Sequence, residues 1–144
     1  MVGMTGIELN MVVPDCVAAL EQYERIFDSI ERVEVTSLEK GKNEAVFILH
    51  SMQIHMLDEN EAFGLMSPAP DSPPSMWLNV IVNDIEVTFK KALNSGCVEI
   101  QPITEIEAMG VKNAMFSDPF GYIWLLHEIV REVSVEERVQ VIGE

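Results

Sequence analysis

This chain repeats itself. Leu9-Asn10-Met11-Val12-Val13-Pro14-Asp15 returns 69 residues later as Leu78-Asn79-Val80-Ile81-Val82-Asn83-Asp84, and at the same offset Ala45-Val46-Phe47 returns as Ala114-Met115-Phe116. In each copy an apolar run leads into an Asp, and an amphipathic stretch follows. A repeat of this length implies two copies of one supersecondary unit, each needing the other to bury its apolar face. The 144 residues suffice for about one ordinary domain with a real core. The site is expected where the two copies meet.

The first copy, residues 5 to 58, reads as β-α-β-β-β. Ile7 to Val13 forms a strand, Asp15 caps a helix, and Val17, Leu20, Tyr23 and Phe27 fall on one helical face. Val33 and Val35 alternate with charged residues as in a half-buried strand. Lys40 to Asn43 is a turn, Ala45 to Leu49 a buried strand, and His50-Ser51 a tight connection to a strand over Gln53 to Asp58. Residues 59 to 75, with Pro68, Pro70, Pro73 and Pro74, form a loop.

The second copy, residues 76 to 130, restarts the pattern. Trp77 to Val82 is a strand, and Asp84 caps a helix with Ile85, Phe89, Ala92 and Leu93 on one face. Gly96 suits a left-handed C-terminal cap. Val98 and Ile100 open a strand that Pro102 confines to an edge or an end. Val111 to Phe116 and Tyr122 to Ile129 are strands joined by the turn Asp118-Pro119-Phe120-Gly121. In the tail, residues 131 to 144, Ser134 with Glu137 fits a capping box for a short helix over Val135 to Ile142.

Nine basic against 24 acidic residues leave a net charge of −15, which argues against nucleic acid and acidic membrane surfaces as partners. No apolar run approaches a membrane span. Met1 to Gly6 lack the basic and apolar regions of a signal peptide, so a cytoplasmic protein is expected. Cys16 and Cys97 form no CxxC or Cys/His cluster and read as reduced, structural thiols.

Two β-α-β-β-β units, a strand-to-Asp-to-helix entry in each, and the closing Asp118-Pro119-Phe120-Gly121-Tyr122 hairpin resemble the vicinal oxygen chelate superfamily of glyoxalase I, bleomycin-resistance proteins and extradiol dioxygenases. With Trp124 after the hairpin, the chain looks most like the demethylubiquinone-methyltransferase-like branch. The resemblance spans about residues 5 to 130. It implies an α+β fold of two tandem β-α-β-β-β modules, their curled mixed sheets forming a cleft, often completed by a homodimer. It is specific for fold and poor for function.

In metal-using members of that superfamily, four strands each offer one His or Glu ligand, and the ion polarises substrate oxygens. Counting from Asp15, Asp84 and Asp118 carries these positions onto Glu8, Trp77 and Leu125, with His55 on the remaining strand; a one-residue slip would put Met56 there instead. Two of the four can bind a metal, short of the three protein ligands typical of a catalytic site. Residues two apart on a strand share a face, so Asn10, Asn79 and His127 join Glu8, His55, Trp77 and Leu125 in the expected cleft.

Each has a plainer role. Glu8 is a solvated carboxylate at a sheet edge, His55 a hydrogen-bonded wall residue, and Trp77 a core residue beside the Pro-rich loop. Asn10 and Asn79 bridge the two units, and His50 is a turn residue. Met52, Met56, Met66, Met76, Met109 and Met115 fill core, or alternatively make an adaptable binding wall.

Three functions follow. The first is a protein that binds a small aromatic or amphipathic molecule in the cleft between modules, without a cofactor. The second is an enzyme, a glyoxalase I-like lyase or isomerase or an extradiol dioxygenase-like enzyme. It would hold one divalent ion (Zn, Ni, Mn or Fe) on Glu8 and His55, with His127 or a partner chain supplying a third ligand. The third is a structural or interaction module with a filled cleft. The missing ligands at Trp77 and Leu125 place binding first.

Overall fold

A computed structural model describes residues 5–69 and 73–143. Residues 1–4, Pro70 of the expected loop and Glu144 of the tail lie outside the described residues. The chain divides into two compact units, Met1–Pro70 and Asp71–Glu144.

The first unit runs β1 (Leu9–Val13), α1 (Cys16–Ile26), β2 (Ile30–Val35), β3 (Glu44–Leu49) and β4 (Met52–Asp58). The second runs β5 (Leu78–Ile81), α2 (Ile85–Asn94), β6 (Val98–Ile106), β7 (Val111–Ser117) and β8 (Ile123–Ile129), and α3 (Val135–Gly143) follows. Each unit holds one mixed four-stranded sheet in the same order, β1-β4-β3-β2 and β5-β8-β7-β6, with the opening strand parallel to the closing one. Leu9 pairs with Ile54 where Leu78 pairs with Trp124, so the repeat extends to strand register.

The helices form where the sequence places them. Asp15 accepts a hydrogen bond from Ala18 N at 3.1 Å and Asp84 one from Val87 N at 3.2 Å, each filling an orphan donor of the first turn. Each helix packs its apolar stripe on one face of its own sheet. In the first unit the buried set is Cys16, Ala19, Leu20, Tyr23 and Ile26 of α1 against Met11, Val13, Ala45, Phe47, Ile54 and Met56. In the second it is Ile85, Phe89 and Ala92 against Val80, Ala114, Phe116, Trp124 and Leu126. Phe116 and Trp124 lie parallel, ring centres 6.3 Å apart.

The Asp118 turn is built as its residues suggest. Its carboxylate accepts from Phe120 N, Tyr122 N and, at 2.9 Å, Trp124 Nε1, which ties the hairpin to the core indole. Gly96 after α2 has φ +93°, and His50 takes the left-handed conformation (φ +55°) in the tight β3–β4 turn. Ser134 Oγ accepts from Glu137 N at 3.1 Å at the start of α3.

Several details differ from expectation. Val33 is exposed, because β2 shifts register between Arg32 and Glu34. Ala45 to Leu49 is buried on one face only, with Val46 and Ile48 half-buried on the other. Leu93 turns outward, and Val17 is half-buried rather than core. β6 continues through Pro102 to Ile106, tolerated because it is an edge strand with irregular pairing there. Among the described residues of the expected loop, Glu61–Phe63 forms a 3-10 turn, closed by Gly64 and a bridge between Asn60 and Leu65. No helix among the described residues is long and apolar enough to cross a membrane.

Candidate functional site

Because each helix covers one face of its sheet, the side chains of opposite parity lie on the face that its own helix leaves open. In the first unit Asn10 pairs with His55, and His55 with Val46, so these share the open face. Met56, one residue on, is fully buried beneath α1. The slip that would exchange Met56 for His55 is therefore excluded by the pairing.

Glu8 precedes β1 and reaches over this face. Its Oε1 lies 3.0 Å from His55 Nδ1, and its Oε2 accepts from Gln53 Nε2 at 2.6 Å. These two hydrogen bonds, Gln53 first and His55 second, hold the Glu8 carboxyl below the usual glutamate range. On its other side, His55 Nε2 is buried without a hydrogen-bond partner, with Glu44 Oε1 3.7 Å away. Glu8 is thus not merely a solvated edge carboxylate. Gln53 and Glu44 are members of this cluster that sequence reasoning did not single out; strand parity with His55 marks Gln53, whereas Glu44 joins only through the β3–β4 register.

In the second unit Leu125 pairs with Asn79 and Met115, and His127 with Ile81 and Asn113, on the corresponding open face. Burial holds the His127 imidazole below the ordinary histidine range, favouring its neutral form. Asn113 Oδ1, across from His127, is buried without a hydrogen-bond partner. Asn10 and Asn79 are both exposed. Trp77 lies just before β5 and is 53% exposed, so it is not the core residue of its plainer reading. Met56 is core, whereas Met52, Met66 and Met76 are exposed.

Carboxylates at the ends of the closing strands form a second, structural motif. Asp58, ending β4, accepts from Cys16 N at 2.8 Å, and Glu128, near the end of β8, accepts from Ile85 N at 3.0 Å. Each ties a helix N-terminus to its closing strand. Asp58 also accepts from Gly41 N and Asn43 N. Burial pushes its carboxyl upward, but the three backbone donors outweigh burial and the net shift is downward.

At the four positions carried over by resemblance the donor set is incomplete, with two side chains that could ligate an ion and two that could not. Trp77 and Leu125 offer no ligand atom, and Glu8 and His55 are hydrogen-bonded to one another. Among the described residues, the cluster of three ligating side chains close enough to share an ion is Asp84, Glu86 and Glu128. It lies at the α2 N-terminus on the helix side, where Lys112 Nζ stands 3.3 Å from Glu86 and 3.9 Å from Glu128.

With this geometry in place, known structures can be compared. The manganese(II) and sulfate complex of the fosfomycin resistance protein FosX from Listeria monocytogenes matches with a TM-score of 0.68 at 14% identity, covering 99% of each chain. FosX from Mesorhizobium loti gives 0.66 at 12% identity, covering 95% of this chain and 98% of that one. TioX from Micromonospora sp. ML1 gives 0.62 at 14% identity, covering 90% and 100%. The fold is the glyoxalase-type, vicinal oxygen chelate fold. Identities this low establish that fold and leave chemistry open. By sequence, the chain is 27% identical over 131 residues to the uncharacterized protein Mb0911c of Mycobacterium bovis, covering 89% of this chain and 86% of that protein. The uncharacterized protein Rv0887c of Mycobacterium tuberculosis is equally similar, with 76% of its length covered. No family model matches the chain.

Proposed function

We propose that this chain binds a small aromatic or amphipathic molecule against the open faces of its sheets, without a catalytic metal. The observation that carries the reading is the state of the ligand positions. Two of the four have no ligand atom, and the two that do are engaged with each other in the Glu8–His55 hydrogen bond. What remains on each sheet, taken by itself, is a half-polar face: Glu8, Gln53 and His55 beside Val46, Ile48 and Leu57 on the first, and Asn79 and His127 beside Leu125 and Met115 on the second. Apolar walls with a few convergent polar groups are how small-molecule sites are commonly built. FosX, with its manganese and sulfate, uses the same fold differently under this reading.

Tryptophan fluorescence tests it. Trp124 is fully buried and Trp77 half exposed, so a bound aromatic reports through Trp77. Titration with planar aromatics such as acridine is expected to give saturable quenching that Trp77→Phe abolishes. Purely linear, collisional quenching across the panel would contradict the reading. The proposal extends to a homodimer, since each sheet leaves two edge strands; a monomer in sedimentation equilibrium at micromolar concentration would contradict that part.

A further inference from the structure

We propose that the ligand carries a cationic head rich in N–H groups, an amine or guanidine, received by His55 Nε2 and the Glu44 carboxylate on the open face of the first sheet. This inference rests on the small-molecule binding reading above and specifies the chemical class of its ligand.

The argument starts from the Glu8–His55 hydrogen bond. An ionised carboxylate only accepts, so the 3.0 Å contact between Glu8 Oε1 and His55 Nδ1 puts the ring proton on Nδ1. In the ring's neutral form, which is part of this proposal, the lone pair is then at Nε2. That atom is buried and has no hydrogen-bond partner. The polar atom 3.7 Å away, Glu44 Oε1, is an acceptor too. A buried acceptor left unpaired carries a desolvation cost. A group with two or more N–H bonds, placed between imidazole and carboxylate, satisfies both at once; a hydroxyl has a single proton to offer.

Charge points the same way. Strand pairing puts Glu31 opposite Ile48 and Glu34 opposite Val46, so both share the open face with Glu8 and Glu44. None of the nine Lys and Arg side chains shares that face. Arg32 and Lys112 lie on the helix sides, paired with Glu24 and Glu86, and the others sit in turns, on helices or beyond β8. The open face of the second sheet, as its strand pairing defines it, carries no Lys, Arg, Asp or Glu, and burial favours the neutral form of His127. Among the described residues, strand pairing puts no Lys or Arg on either open face to form an ion pair with an anion. The FosX complexes, by contrast, hold sulfate and a dihydroxypropylphosphonic acid.

The test uses three probes sharing one ring: naphthylmethylamine (an ammonium at neutral pH), naphthylmethanol and naphthylacetate. Equilibrium dialysis against the full chain is expected to show the amine binding at least about tenfold tighter than the alcohol, the value of a charge-assisted hydrogen bond, with acetate weakest. Glu44→Gln should weaken the amine by about threefold or more and leave the alcohol unchanged. Glu44→Lys should reverse the order of amine and acetate. Glu136→Lys, the same change of net charge on exposed α3, should preserve it. The ¹⁵N signal of His55 Nε2 should be that of an unprotonated nitrogen and should move when the amine is added.

Equal binding of amine and alcohol would overturn the inference and leave small-molecule binding standing. So would equal effects of Glu44→Lys and Glu136→Lys, or an imidazolium already bridging Glu8 and Glu44 at neutral pH. Failure of all three probes to bind below about 10 mM would overturn the binding reading itself.

Discussion

Removing the Asp58 carboxylate should unfold the first unit more readily than any surface change of equal size. Asp58 is 2% exposed and joins three segments: its Oδ1 accepts from Cys16 N at 2.8 Å, and its Oδ2 accepts from Gly41 N at 2.9 Å and Asn43 N at 3.0 Å. Asp58→Ala leaves three backbone donors unpaired, each worth about 1–3 kcal/mol when water cannot replace the acceptor. Water reaches half-buried Gly41, and the three losses overlap, so the expected total is about 3–5 kcal/mol. That is a large share of the ~5–15 kcal/mol that holds an ordinary domain together. Asp58→Asn keeps one carbonyl oxygen and should cost about 2 kcal/mol. At the corresponding place in the second unit, Glu128 serves a single backbone donor, Ile85 N, so Glu128→Gln should cost about 1 kcal/mol. Urea unfolding followed by amide hydrogen exchange in β3 and β4 reads the first unit directly, whatever the second is doing. A loss below about 1 kcal/mol in Asp58→Ala, or a larger loss in Glu128→Gln than in Asp58→Ala, would refute the reasoning.

Other outcomes follow from the same geometry. The folded Asp58 carboxyl titrates below its ordinary value, so its contribution is complete above about pH 4 and is lost as pH falls through the lower folded value. Acid titration of exchange protection in β4 should show that loss, and Asp58→Asn should flatten it. Gly110 has φ +68°, and a Cβ there would run into the Arg131 carbonyl oxygen and side chain. Gly110→Ala should therefore cost about 2–4 kcal/mol in chemical denaturation, from a left-handed alanine and a displaced backbone together. Burial, aided by Asp58 beside Cys16 and Asp118 beside Cys97, pushes both thiols to about 12. A thiol-disulfide reagent at mildly alkaline pH should find almost no reactive cysteine in the native protein and two in denaturant.

The sequence disclosed the architecture because the repeat is local chemistry written twice. Asp15 and Asp84 announce helix starts by their own hydrogen bonds, and Asp118 announces a turn, so these elements stand where they were expected. Strand parity placed His55 with Asn10 and Leu125 with Asn79, since alternation needs no tertiary knowledge. The contacts between elements were not legible. That Asp58 serves two turn donors besides the helix, or that Glu44 approaches the far nitrogen of His55, depends on register between strands rather than on any stretch of residues. Trp77 misled for a related reason: its aromatic bulk suggested core, but it falls one residue before β5 with the parity of exposed Asn79 and not of buried Val80. Val33 failed because a register shift in β2 breaks the alternation on which its burial was argued.

The central proposal is a ligand-binding protein that holds no catalytic ion at Glu8, His55, Trp77 and Leu125. Elemental analysis of untagged protein, purified without chelator and then incubated with zinc, nickel, manganese or iron, tests it most directly. The account predicts no stoichiometric metal, and no difference between the parent chain and the Glu8→Ala and His55→Ala variants. About one divalent ion per chain, lost in both variants, would contradict it.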